Sequence, residues 1–171
     1  MNKTAKAAVK IPLLDLSKQI APIRAEIDAA IKGVIDSGAF INGSNIAEFE
    51  KNVATYVRSA HAVGCSNGTD SLRLALIALG VRPGDGVICP AFTYFATAGA
   101  IASVGAIPVF CDILPETFTI SPDSLKDTIA QHSKTPLKCV IPVHLYGLCA
   151  DMDAIMAIAK EHNLGVIEDT A

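Results

Sequence analysis

The sequence predicts an α/β fold: a mostly parallel sheet sandwiched by helices. Strand and helix candidates alternate along the chain from residue 60 onward. The strand candidates are continuous apolar runs, as in parallel strands covered on both faces, not the alternating runs of a half-exposed sheet. They also end in polar or turn residues, namely Ser66, Pro90 with Thr93 close behind, Asp112, His144 and Asp169. Ligands of open α/β sheets bind beyond the carboxyl ends of the strands, so these residues stand where a site would form.

In chain order, Met1 to Lys10 carries Lys3, Lys6 and Lys10 without an apolar core, and reads as a flexible tail, not a signal peptide. One domain is expected over 11–171. Pro22 opens a helix candidate with Ile23, Ile27, Ala30, Ile31, Val34 and Ile35 on one face, and Gly38 ends it. Asn45 and Glu48 have capping-box spacing ahead of Phe49, Val53 and Val57. Strands are expected at Ala60–Cys65, Val87–Cys89, Ile107–Asp112, Leu137–His144 and Gly165–Asp169, with helices at Ser71–Leu79, Phe95–Val104, Pro122–His132 and Met152–His162.

At 171 residues, 51% hydrophobic and 18% charged, the chain has the makings of a buried core and not of a disordered segment. A net charge of −3 and the absence of Trp give no footing for nucleic acid or an anionic membrane. No apolar run reaches transmembrane length. The five cysteines form no C-x-x-C pair and read as reduced thiols of a cytoplasmic protein. His61, His132 and His162 show no ligand spacing, so no metal is expected.

The segment Gly64-Cys65-Ser66-Asn67-Gly68-Thr69-Asp70-Ser71 joins a strand candidate to a helix candidate. Small, hydroxyl-rich residues at a helix N-terminus offer free N–H groups and the positive end of a dipole, which suits a phosphate. Neither a P-loop nor a dinucleotide fingerprint is present. Gly64-Cys65-Ser66-Asn67-Gly68 does fit G-x-S-x-G, with Asp112 and His144 following in hydrolase order, so Ser66 is a candidate nucleophile. Against it, the helix is expected to start only after Asp70, and no oxyanion-hole glycine cluster precedes the motif. At the last strand, Glu168 and Asp169 should point to opposite faces, leaving Asp169 for the site. An aromatic at Phe92, Tyr94 or Phe95 could cover a flat ring, or simply belong to the core. His144 is as readily structural as functional.

Taken together, these stretches resemble the DegT/DnrJ/StrS family of pyridoxal-phosphate-dependent aminotransferases, fold type I enzymes acting on nucleotide-linked keto sugars. The resemblance runs from Ile11-Pro12-Leu13-Leu14-Asp15-Leu16 through Ser37-Gly38-Ala39-Phe40-Ile41-Asn42-Gly43, Cys65-Ser66-Asn67-Gly68-Thr69-Asp70-Ser71-Leu72 and Gly84-Asp85-Gly86-Val87-Ile88-Cys89-Pro90-Ala91-Phe92-Thr93-Tyr94. It ends in Pro142-Val143-His144-Leu145-Tyr146-Gly147 and Ile167-Glu168-Asp169-Thr170-Ala171. It implies the N-terminal part of the cofactor-binding large domain. Gly68, Thr69 and Asp70 would hold the phosphate of pyridoxal 5'-phosphate, Tyr94 would stack on its ring, Asp169 would pair with the ring nitrogen, and His144 would lie near substrate or cofactor. The implied partners are a nucleotide-sugar substrate, a glutamate-type amino donor and a second copy in a homodimer. Tyr146 to Asp153 looks closest to enzymes making 3-amino sugars.

The family's Schiff-base lysine and its glutamine, both expected downstream of Asp169, are absent from this chain. The expectation is therefore an N-terminal half that does not transaminate alone and exposes a sheet edge prone to aggregation. Other readings are a pyridoxamine-phosphate-dependent dehydratase, in which histidine replaces that lysine, and a non-catalytic remnant that pairs with full-length subunits.

Overall fold

The computed structural model describes residues 11–171; the expected tail, 1–10, lies outside them. The chain falls into two compact units, Met1–Gly64 and Cys65–Ala171.

The first unit is helical. Helix α1 (Ser17–Ile20) runs through a 3-10 turn containing Pro22 into α2 (Arg24–Ser37), which stops at Gly38 with a left-handed φ of 65°. Helix α3 spans Ser44–Val57. Its N-cap is Gly43, without a side-chain cap, so the expected box of Asn45 and Glu48 does not form: both already lie inside the first turns. Ile31, Ile35, Phe49 and Val57 leave apolar faces of α2 and α3 exposed. Ala60–Cys65 is not a strand. Its Val63 is 80% exposed, and the Gly64 N–H donates to Glu50 Oε1 instead of to a sheet neighbour. A short apolar run does not by itself supply a pairing partner.

The second unit is a four-stranded, all-parallel sheet with helices on both faces. In chain order it comprises α4 (Gly68–Ala78), β1 (Gly86–Pro90), α5 (Ala96–Ser103), β2 (Ile107–Cys111), α6 (Pro122–Gln131), β3 (Leu137–Val140), α7 (Met152–Glu161) and β4 (Gly165–Val166). The spatial order is β2-β1-β3-β4. Strand β1 is buried at all five positions, as its unbroken apolar run requires. Strand β2, at the edge, exposes Ile107 and Phe110, so the sandwich is incomplete there.

Alternate side chains of the strands feed two cores. Ile88, Val109 and Val140 pack with Leu125 and Ile129 of α6 and Ile155 and Ile158 of α7. Val87, Cys89 and Cys139 pack with Leu72 and Leu76 of α4 and Ala100 and Ile101 of α5. Helices α5 and α7 thus lie on opposite faces, which right-handed crossovers demand when β1 leads outward to β2 and β3 leads outward to β4. The direction of winding reverses between neighbours β1 and β3. That reversal is the topological switch point, the favoured place for a ligand.

Candidate cofactor site

A cavity of about 390 Å³ opens at the carboxyl ends of β1, β3 and β4, within the size range of small-molecule sites. Its wall includes Gly68 and Thr69 from the start of α4, Thr93 and Tyr94 beyond β1, Val143 and Leu145 beyond β3, and Glu168 and Asp169 beyond β4. Among the described residues no lysine, arginine or histidine lines it.

The α4 end is built by Asn67. Its Oδ1 accepts the Asp70 N–H at 2.9 Å, and its carbonyl accepts the Ser71 N–H at 3.0 Å. The helix therefore begins at Gly68, three residues before the expected start. Gly68 and Thr69 keep first-turn N–H groups that have no intrahelical acceptor. Asp70 is different. Its N–H is taken by Asn67, and its carboxylate accepts from the Ser66 hydroxyl and the Asn67 amide, with Arg73 3.4 Å away. The Ser66 hydrogen bond, first among these contacts, holds the Asp70 carboxyl below the usual carboxylate range. Asp70 lies in a separate pocket with Cys65, Ser66 and Arg73, not in the cavity wall.

That arrangement also removes the hydrolase reading of Ser66. The early helix start withdraws the first objection to it, but the other two members of the triad lie elsewhere. Asp112 belongs to a polar pocket with Ser121 and Asp127, and His144 is engaged by Glu168 and Ala150. No histidine shares the pocket of Ser66.

Asp169 is only 8% exposed. Its N–H donates to the Pro142 carbonyl and its carbonyl accepts the His144 N–H, both at 2.9 Å, a parallel bridge that seats it beside Val143. Regular strand β4 has already ended at Val166, so the alternation expected of Glu168 and Asp169 no longer applies, and both line the same cavity. Oδ2 of Asp169 accepts from the buried Thr97 hydroxyl at 2.9 Å, and Oδ1 accepts the Ala171 N–H at 3.3 Å. Sequence reasoning missed Thr97. Its one signal is a spacing of four from Thr93, which puts both hydroxyls on one side of the α5 start.

His144, 9% exposed, is outside the cavity wall. Its Nδ1 accepts the Ala150 N–H at 3.2 Å, so the neutral ring carries its proton on Nε2 and donates it to Glu168 Oε2 at 2.9 Å. Tyr94, by contrast, lines the cavity with its side chain 78% exposed. Among the described residues no group of His, Cys, Asp and Glu could hold a metal ion, and no helix is long and apolar enough to cross a membrane.

The donor set fits pyridoxal phosphate: the start of α4 with its free N–H groups, an aromatic residue and a carboxylate line one cavity. The chain matches the DegT/DnrJ/EryC1/StrS aminotransferase family over residues 21–171. It is 48% identical to the pleiotropic regulatory protein of Geobacillus stearothermophilus, covering 95% of this chain and 43% of that one. It is 45% identical to the UDP-2-acetamido-2-deoxy-3-oxo-D-glucuronate aminotransferase of Pseudomonas aeruginosa, covering 94% and 44%. Among solved structures, NtdA from Bacillus subtilis with bound cofactor PMP superposes with a TM-score of 0.88 at 37% identity, covering 98% of this chain and 38% of that one. The chain thus spans less than half the length of these relatives. The aminotransferases of this family are pyridoxal-phosphate-dependent and share the fold type I architecture. The chain belongs to the DegT/DnrJ/EryC1/StrS aminotransferase family.

Proposed function

We propose that this chain supplies the cofactor-binding part of a pyridoxal-phosphate-dependent aminotransferase that acts on a nucleotide-linked keto sugar with a glutamate-type amino donor, in amino-sugar biosynthesis. The observation that carries the reading is the convergence of Gly68, Thr69, Tyr94 and Asp169 on one cavity at the switch point. Gly68 and Thr69 bind the phosphate through backbone N–H groups and the Thr69 hydroxyl, aided by the α4 dipole. Tyr94 covers one face of the ring. Asp169 accepts a hydrogen bond from the ring nitrogen and favours its protonated form. When bound, the cofactor supplies an electron sink for the carbanion of amino transfer.

The relative from P. aeruginosa, named for a UDP-linked 3-oxo sugar, supports the substrate class and the 3-amino position. The exposed apolar faces of α2 and α3 support a second copy as partner in a homodimer. Lysine or histidine, the choice that separates aminotransferases from dehydratase relatives, is not among the described residues lining this cavity.

A chimera tests the proposal. Residues 21–171 replace the matching part of the P. aeruginosa aminotransferase, which is then assayed with glutamate and its UDP-linked 3-oxo sugar. Formation of the amino-sugar nucleotide, lost on Asp169→Ala, is expected. A folded chimera that binds cofactor but transfers no amino group contradicts the substrate assignment.

A further inference from the structure

Thr97 is a polar residue in an apolar place. Helix α5 reads Ala96-Thr97-Ala98-Gly99-Ala100-Ile101-Ala102-Ser103, and the Thr97 side chain is fully buried. A buried hydroxyl is costly unless hydrogen-bonded, and valine, of nearly the same shape, would carry no such cost. The Thr97 hydroxyl is bonded on both sides. Its oxygen lies 3.0 Å from the Thr93 hydroxyl and 2.9 Å from Asp169 Oδ2. A hydroxyl has one hydrogen to give. Thr97 gives its own to Asp169, so Thr93 gives its hydrogen to Thr97. The result is a directed chain running from Thr93, in the cavity wall, through Thr97 to the carboxylate.

This chain settles how Asp169 is held. Carboxylate rotation about its terminal bond is soft, with broad wells. The Ala171 N–H, at 3.3 Å from Oδ1, is a long contact. The shorter bond comes from Thr97, in the first turn of α5. Each oxygen then keeps a further acceptor direction for a ligand.

We propose that Thr97 is a positioning residue: it fixes the orientation of Asp169 so that a carboxylate oxygen meets the cofactor's ring nitrogen, and Thr93 fixes the sense of the Thr97 hydroxyl. The proposal rests on the reading of this cavity as the pyridoxal phosphate site.

The test compares two ligands by equilibrium titration of the 171-residue chain. One is pyridoxamine phosphate. The other is its 1-deaza analogue, with carbon in place of the ring nitrogen. The wild-type chain prefers pyridoxamine phosphate by about tenfold, the scale of one hydrogen bond to a charged group. Thr97→Val abolishes most of that preference, and Thr97→Ser restores it. A merely structural role would weaken both ligands alike and leave the ratio unchanged, which overturns the proposal. If Thr97→Val does not fold, Thr93→Val carries the test, because it takes the donor from Thr97; an unchanged ratio there also overturns it. Failure of the wild-type chain to bind either ligand overturns the cavity reading as well. Wild-type preference retained in folded Thr97→Val overturns the positioning role alone.

Discussion

His144 Nε2 lies 2.9 Å from Glu168 Oε2, while its Nδ1 accepts the N–H of Ala150. The imidazole thus ties the segment after β3 to the segment after β4, both of which line the cavity, and to Ala150 just before α7. The prediction is a supporting role for the ring at the cavity wall.

Replacing His144 by Phe keeps a flat ring but strands the buried Ala150 N–H. The expected cost is about 1–3 kcal/mol in denaturant unfolding. Pyridoxamine phosphate should still bind to the variant under native conditions. A variant of unchanged stability that has lost all ligand binding would place the ring in the site after all.

Asn67 closes the first turn of α4, so Asn67→Ala should cost about 1 kcal/mol of stability, as loss of an N-cap does. The same change should weaken phosphate-bearing ligands, because Gly68 and Thr69 are presented by that turn. Pyridoxamine, which lacks the phosphate, serves as the comparison ligand in the titration. Equal weakening of pyridoxamine and pyridoxamine phosphate would contradict the cradle.

Asp70 carries a pH dependence whose sign is fixed. Its carboxyl is held below the usual range, first by the Ser66 hydroxyl. A depressed folded value contributes stability that is present above the unfolded value of about 4 and is lost as pH falls through the folded one. Ser66→Ala should move the Asp70 titration, followed by carboxyl NMR, upward toward the ordinary value. An unmoved titration would show that the hydroxyl does not hold it.

The cysteines should divide by burial. Cys89, Cys111 and Cys139 are buried, with thiols pushed up to about 12 by desolvation, whereas Cys65 and Cys149 are exposed. Reaction with a thiol reagent at pH 8 should show the two exposed thiols fast and the three buried ones only on unfolding, since the thiolate is the reactive form. Rapid reaction of all five in the native protein would contradict the packing of β1, β2 and β3.

Much of this arrangement was legible in the residues. Val87-Ile88-Cys89 could be read as a central strand because an apolar run with no polar alternation has to be covered on both faces. Asp169 could be read as a candidate because it ends a strand candidate at the edge where such folds bind ligands, whereas Thr69 and Tyr94 were named only through the family resemblance. The failures have equally local causes. Ala60–Cys65 looks like a strand because it is a short apolar run ahead of a turn, while pairing depends on a neighbour that sequence does not name. Glu168 was assigned to the wrong face because alternation holds only while the strand is regular, and β4 stops at Val166. Asp70, a phosphate-holding residue by the resemblance, has its N–H bonded to Asn67 Oδ1 and its carboxylate bonded to Ser66. Thr97 was invisible: it sits among alanines, and its partner is 72 residues away.

The central claim is that Asp169 and the start of α4 form two ends of one cofactor site. It is tested most directly by titrating pyridoxamine phosphate into the wild-type chain and into Asp169→Asn and Thr69→Ala, with pyridoxamine as the phosphate-free comparison. The account predicts saturable binding by the wild-type chain. Thr69→Ala should lose affinity for pyridoxamine phosphate only, and Asp169→Asn for both ligands. Binding that is equal in all three proteins, or absent from a folded wild-type chain, would contradict it.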